Sequence, residues 1–341
     1  MQPTTASCRL RQLSEKSWYG VEAGMDLGQF KHLKCQDEAH REIILLFQKQ
    51  YISNMNTAPR FSTPIISVSQ LQTLTPGECI LIDASSGPQA AAQYKAGHLP
   101  GARHVDLDSD LSQKTEDASR GGRHPLPTLS QFAALLGRLG ITPEHTVVVY
   151  DDKGGANAAA RFWWMLRAVG HADVYVLDGG LQAAQQAGMA LTADVIPVMR
   201  AASYPITTWQ LPTVGIDTVE AISTDPDYVV IDVRDAYRYR GESEPIDLIA
   251  GHIPGAINIP FSQNLDAQNH FLSKEQLAAF YKTALGEQPL DQVIVHCGSG
   301  VTACHTLLAL EQAGMPGARL YIGSWSEWSR TGRPVARGEN A

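Results

Sequence analysis

Four short motifs occur twice in this chain, in the same order, and this internal repeat constrains the fold more than any other feature. The first motif, GHLPGA at 97–102, returns as GHIPGA at 251–256. ILID at 80–83 returns as VVID at 229–232, and VVVYD at 147–151 returns as VIVHC at 293–297. VYVLDGG at 174–180 returns as ARLYIGS at 318–324. Four matches in one order predict two homologous domains, which also suits a length of 341 residues.

Each repeat alternates apolar, β-branched runs with amphipathic stretches that stop at a glycine. We predict helices over 129–141 and 273–286, before the VVVYD and VIVHC strands, and over 161–170 and 302–314, after them. Continuous apolar strands that alternate with helices are typical of a parallel sheet covered on both faces. The prediction is therefore an α/β fold of two tandem domains, each a parallel sheet with helices on both faces.

The repeat also predicts how the chain is divided. The predicted parts are an N-terminal extension over 1–58, a first domain over 59–197, a linker over 198–213 and a second domain over 214–336. The extension matches neither repeat. Two interpretations stay open for it: a natural start at Met55, or a loosely attached and disordered arm over 1–54.

Charge and cysteine content exclude several classes of function. The net charge of −8 argues against nucleic-acid binding, because no basic stripe exists to neutralise phosphates. No apolar run approaches the roughly 20 residues of a membrane span. The five cysteines form no CxxC pair, so neither a zinc site nor a thioredoxin-type site is expected. A reducing cytoplasm is the expected location.

The stretch VIVHCGSGVT carries the candidate for chemistry. An apolar run ends at Cys297, two glycines allow a tight loop, and a helix begins near Val301. The backbone N–H groups of such a loop and the positive end of a helix dipole hold anions. We predict that the anion is the thiolate of Cys297, while the alternative is an inert, buried cysteine. The cradle would consist of Gly298, Gly300, Val301 and Thr302.

The first repeat has Asp151 where the second has Cys297. A carboxylate is no sulfur nucleophile, so the first domain is expected to be catalytically inactive and the second to be active. Cysteine phosphatases need an arginine six residues after the cysteine to clamp the phosphoryl group, but this chain has Ala303 there. Transfer of sulfur through a persulfide fits better, and it requires no metal or organic cofactor.

Four segments together resemble one family. They are CGSGVTAC, GHIPGAINIPF, RFWWMLRAVGH and GSWSEW, at 297–304, 251–261, 161–171 and 323–328. Over roughly 60–335 the chain resembles the two-domain rhodanese family, the thiosulfate/3-mercaptopyruvate sulfurtransferases. The resemblance implies that Cys297 is the nucleophile and that Arg238, in the AYRYRG segment, binds substrate. The loop looks like the mercaptopyruvate branch of the family, which implies a proton relay through Ser299 and His98.

The chain departs from the family pattern at two places. The segment before His98 has no acid to complete the relay, and Asp83 is a poor replacement. A second carboxylate-binding arginine of the mercaptopyruvate branch is absent near Asp247, and Arg234 and Arg240 are the candidate replacements. Both donors therefore stay open, with 3-mercaptopyruvate favoured over thiosulfate.

The predicted function is that of a sulfurtransferase with a small anionic sulfur donor. A persulfide on Cys297 would carry sulfur from 3-mercaptopyruvate to a thiol, thioredoxin or cyanide acceptor. The alternatives are a thiosulfate:cyanide sulfurtransferase and a non-catalytic persulfide carrier. Partners are not expected to include nucleic acid or a membrane, and a monomer or weak dimer is expected.

Overall fold

The computed structural model describes residues 59–75, 77–113, 115–156, 158–195, 197, 201 and 204–339. The predicted N-terminal extension, 1–58, lies outside the described residues. Two five-stranded sheets are present in the described part, within one compact unit that spans Asn56–Ala341. Every strand pairing in both sheets is parallel. This confirms the predicted α/β fold with two parallel sheets.

The first sheet has the strand order β1-β5-β4-β2-β3. Its strands are β1 Ile65–Ile66, β2 Cys79–Asp83, β3 Arg103–His104, β4 Thr146–Tyr150 and β5 Val174–Leu177. Its helices are α1 Val68–Gln72, α2 Ala90–Ala96, α3 Leu129–Arg138, α4 Ala159–Ala168 and α5 Gly180–Gln186. All five residues of β4 are buried, as expected for a central parallel strand covered on both faces.

The second sheet repeats this topology in the order β6-β10-β9-β7-β8. Its strands are β6 Thr213–Val214, β7 Val229–Asp232, β8 Ile257–Asn258, β9 Val293–His296 and β10 Arg319–Tyr321. Its helices are α6 Ile216–Ile222, α7 Ala236–Tyr239, α8 Lys274–Leu285, α9 Ala303–Gln312 and α10 Ser324–Trp328, with two 3-10 helices at Phe261–Asn264 and Leu290–Gln292. The central strand β9 is the counterpart of β4, and it is likewise buried throughout.

Local sequence explains where the predicted helices begin and end. Helices α3 and α8 begin at capping boxes, in which Thr128 pairs with Gln131 and Ser273 with Gln276. Each box satisfies backbone N–H groups that the first helical turn leaves unpaired. Helix α3 ends at Arg138, three residues before the end of the predicted 129–141 segment.

The two sheets are joined through the helices that follow their central strands. Helix α4 packs against α9, and one buried apolar cluster includes residues of both, among them Phe162 and Leu308. Arg167 and Glu311 pair across the contact at 3.0 Å. The C-terminal end of β9 therefore lies beside the first domain, and ligands of parallel sheets bind at such ends.

Within the described ranges, no helix has the length and apolarity to cross a membrane. The exact domain boundaries stay predictions.

Candidate active site

Cys297 directly follows β9 and is only 3% exposed. Its loop is held by the residues of α10. The Cys297 N–H donates to Ser324 Oγ at 3.2 Å, while the N–H groups of Trp325 and Ser326 donate to the carbonyls of Cys297 and Gly298. Ser324 adopts a left-handed φ of 54°, an uncommon and strained conformation for a residue with a side chain. The loop that carries the thiol is thus fixed before any ligand binds.

One backbone N–H of the loop contacts the sulfur atom, and the predicted cradle of Gly298, Gly300, Val301 and Thr302 stays a prediction. The Ser299 N–H donates to Cys297 Sγ at 3.5 Å. Gly300 has a φ of 74°, and a Cβ there would collide with the Ile322 carbonyl oxygen, so glycine is required. The three following N–H groups donate to no atom in the described part of the chain; they belong to Gly300, Val301 and Thr302. They are available to an anion.

Two side chains of the first domain, Asp108 and His124, form a hydrogen-bonded series with Ser299 of the loop. His124 Nδ1 lies 2.8 Å from Ser299 Oγ, across 175 residues of sequence, and its Nε2 lies 3.2 Å from Asp108 Oδ1. Burial lowers the pKa of His124 to about 4, and the neighbouring Arg123 guanidinium lowers it too, against the opposing effect of Asp108. The imidazole is therefore neutral near neutral pH. Since the carboxylate can only accept, Nε2–H donates to Asp108 and Nδ1 accepts from the Ser299 hydroxyl.

The structure does not bring His98, the histidine that the family resemblance indicated, to Ser299. His98 is fully buried, its Nδ1 lies 2.7 Å from the Tyr94 carbonyl oxygen, and its ring stacks on Tyr94. Its counterpart in the second repeat, His252, makes the same contacts with Tyr239. The parallel identifies both histidines as part of the GHxPGA turn. The assignment of His98 is corrected, and His124 is the histidine beside Ser299.

The predicted arginines fall into different environments. Arg238 lines the cleft with Cys297 and pairs with Glu244 and Asp247, while its Nη1 makes no hydrogen bond to any described residue. It can therefore bind an anion. Arg234 is held by Asp232, Glu244 and a backbone carbonyl, with its side chain buried.

Two of the candidate arginines have their guanidinium groups paired with carboxylates. Arg234 lines the cleft as well, but its guanidinium pairs with Asp232 and Glu244, so its substrate-binding role stays a prediction. Arg240 pairs with Glu242 and Glu339 instead and does not line the cleft. Neither residue replaces the arginine that the family pattern leads one to expect near Asp247.

Two arginines of the first domain were missed by sequence reasoning. Arg123 pairs with Asp247 at 3.0 Å and lies against Gly298. Arg161 is fully buried in α4 and donates to the carbonyls of Gly300 and His124, both at 3.1 Å. Burial lowers the pKa of Arg161. The sequence contained a signal for each. Arg123 and His124 follow two glycines, and Arg161 is the one charged residue of the apolar RFWWML segment.

A cleft of about 720 Å³ opens at this edge of the second sheet. Both domains line it: the first contributes Arg123, His124 and the 152–156 loop, and the second contributes Arg238 and the 297–302 loop. The thiol lies at the wall of this cleft beside a neutral relay and two guanidinium groups. This arrangement suits nucleophilic attack on an anionic donor. Among the described residues, no cluster suited to a metal ion occurs.

Comparisons with known proteins agree on one family. The family model of the rhodanese-like domain matches residues 67–187 and 216–331. A relative from Pseudomonas aeruginosa, named a probable 3-mercaptopyruvate sulfurtransferase, is 41% identical over 285 residues, or 82% of this chain and 99% of the relative. The thiosulfate sulfurtransferase of Gallus gallus is 34% identical over 74% of this chain and 87% of its own length. The solved 3-mercaptopyruvate sulfurtransferase of Leishmania major superposes with a TM-score of 0.71 at 29% identity, over 81% of this chain and 77% of that one.

Proposed function

Because this chain belongs to the two-domain rhodanese family of sulfurtransferases, we propose that it moves sulfur from 3-mercaptopyruvate to a thiol acceptor through a persulfide on Cys297. The observation that carries the proposal is the neutral His124 hydrogen-bonded to Ser299, next to the cysteine loop. A donor whose leaving group is carbon needs a proton delivered to that carbon, whereas the sulfite that leaves from thiosulfate does not. A relay at this position therefore favours 3-mercaptopyruvate.

The first step forms the persulfide. The Cys297 thiolate attacks the sulfur of 3-mercaptopyruvate, an S–S bond forms, and the C–S bond breaks with its electron pair leaving on the enolate of pyruvate. The thiol proton of the donor passes to Ser299 Oγ while the hydroxyl proton moves to His124 Nδ1. Asp108 stabilises the imidazolium. The proton then returns through Ser299 to the methylene carbon, which gives pyruvate.

The second step releases the sulfur. The free N–H groups that follow Ser299 in the loop can hold the outer sulfur of the persulfide in its charged form. A thiol, thioredoxin or cyanide attacks that outer sulfur, the S–S bond breaks, and the Cys297 thiolate is restored. The cycle uses no metal or organic cofactor. A cytoplasmic location remains the expectation, because the mechanism depends on a cysteine that stays reduced.

The test combines intact-mass measurement with steady-state kinetics on two donors. Incubation with 3-mercaptopyruvate should add one sulfur atom, located at Cys297, and kcat/KM should be higher for 3-mercaptopyruvate than for thiosulfate. The opposite ranking would favour a thiosulfate:cyanide sulfurtransferase. A single turnover that small thiols cannot recycle would instead favour a persulfide carrier.

A further inference from the structure

We propose that Arg123 of the first domain binds the carboxylate of the sulfur donor together with Arg238 of the second, so that the donor site spans both domains. The inference rests on the proposed function, since it concerns a donor with a carboxylate. Arg123 then determines donor specificity, and the first domain contributes to substrate recognition as well as to the proton relay.

Distances place both guanidinium groups beside the reactive loop. A Cβ at Gly298, the residue after the nucleophile, would lie 3.1 Å from Arg123 Nη2 and 3.5 Å from Arg238 Nη2. Both arginines line the cleft with Cys297. Their Nη1 groups make no hydrogen bond in the described ranges. Two nearby guanidinium groups with unused donors are chemically suited to bind a carboxylate.

The local charge also favours an added anion. Asp247 is buried and pairs with three arginines, namely Arg123, Arg238 and Arg330. Within the wider ion-pair cluster, four guanidinium groups share three carboxylates: Arg123, Arg234, Arg238 and Arg330 share Asp232, Glu244 and Asp247. An excess positive charge in a mostly buried cluster is costly unless an anion offsets it. The donor carboxylate would supply that charge.

The segment that carries Arg123 is held in place by the second domain. The Arg123 N–H donates to Ser326 Oγ at 3.0 Å, and the Gly121 N–H donates to Glu327 Oε1 at 2.7 Å. Gly122 has a φ of 80°, and a side chain there would collide with the Gly323 carbonyl oxygen. The position of Arg123 is therefore set before the donor binds, which reduces the entropy lost on binding.

The experiment compares Arg123→Ala with wild type on two donors. One is 3-mercaptopyruvate and the other is 1-mercaptopropan-2-one, which keeps the reacting thiol, methylene and ketone but lacks the carboxylate. Loss of a charge-assisted carboxylate contact should lower kcat/KM for 3-mercaptopyruvate about 10- to 100-fold, mainly through KM. The value for 1-mercaptopropan-2-one should change by less than about 3-fold.

Arg120→Ala is the matched control, because Arg120 lies in the same segment as Arg123 but pairs with Asp117, outside the cluster, and does not line the cleft. It should leave the ratio of the two donors unchanged. A second measurement needs no turnover: the pyruvate concentration that protects Cys297 from alkylation should rise about 10- to 100-fold in Arg123→Ala and stay constant in Arg120→Ala.

Equal losses on the two donors, or equal effects of the two variants, would assign Arg123 a purely structural role and overturn the inference alone. A wild-type protein that takes no sulfur from 3-mercaptopyruvate would overturn the proposed function and the inference with it. The two failures are therefore distinguishable in one set of measurements.

Discussion

The loops after β4 and β9 occupy equivalent places in the two domains, yet they hold different side chains. In the first domain, the Asp151 carboxylate accepts the N–H groups of Lys153, Gly155 and Ala159, at 2.8, 2.8 and 3.1 Å. In the second, Cys297 Sγ stands at that place and accepts the Ser299 N–H. In both domains the repeated loop thus directs backbone N–H groups at the side chain that follows the central strand. The first domain fills it with its own carboxylate, whereas the second leaves room for a reactive sulfur.

Each of these two loops is also contacted by the opposite domain, and the contacts differ. Residues of the second domain close off the first loop: a Cβ at Gly155 would lie 3.6 Å from Phe271 and 3.9 Å from His305. His305 is fully buried there and stacks on Phe271. By contrast, His124 of the first domain reaches the second loop, where its Nδ1 lies 2.8 Å from Ser299 Oγ. We therefore expect activity to depend on what the neighbouring domain contributes as well as on the cysteine.

The largest effect is expected from Cys297→Ser. Turnover should fall by at least about 10⁴-fold, because loss of a covalent nucleophile costs on the order of 10⁴ to 10⁶ in rate. Intact mass should show no added sulfur. Cys79→Ser, in the first domain, is the control and should keep full activity. Sulfur found on a cysteine other than Cys297 would break the comparison between the domains.

The next largest effect should come from His124→Asn, and it should depend on the donor. The rate with 3-mercaptopyruvate should fall about 10²-fold, as for loss of a proton-transfer group, while the rate with thiosulfate should change less than about 3-fold. Steady-state kinetics on both donors measures this. His98→Asn is the matched control and should affect the two donors alike. A donor-selective loss in His98→Asn instead would restore the histidine that the family resemblance indicated.

A smaller effect is expected from Gly300→Ala, which tests whether the cradle geometry matters. The new Cβ meets the Ile322 carbonyl oxygen at a φ of 74°, so the free energy of unfolding should fall by about 1–3 kcal/mol. Activity should fall about 10-fold or more, because the displaced loop carries the nucleophile. Gly188→Ala has a similar φ of 79° with nothing within 4 Å. It should cost less stability and no activity, as denaturant titration and kinetics would show.

Asp151→Asn should have the smallest effect on catalysis. An amide accepts fewer of the three loop N–H groups than a carboxylate does, so the free energy of unfolding should fall by about 1–3 kcal/mol. Sulfur transfer should stay within about 3-fold of wild type. The exposed Asp194→Asn controls for loss of one charge. If Asp151→Asn abolished transfer at unchanged stability, the first cradle would have a catalytic role and the comparison would need revision.

Sequence patterns predicted the elements well, because periodicity and capping are local properties. The repeat indicated two parallel sheets, and helices α3 and α8 are capped by the short polar side chains of Thr128 and Ser273. The position of Cys297 at the end of a strand followed from the same local pattern. Gly300 could be recognised as a turn residue, although its contact with Ile322 could not.

The amino-acid sequence by itself determined that two α/β domains form and that only the second carries a cysteine in the anion cradle. Only the tertiary structure decided which side chains complete that cradle. His124 contacts Ser299, which lies 175 residues further along the chain, and Arg123 lies beside Gly298 in the same loop. Periodicity fixes which face of an element is buried, but it carries no information on which residue of another domain packs against it. The relay and the guanidinium pair exist because α4 and α9 pack together and dock the 121–124 segment on α10.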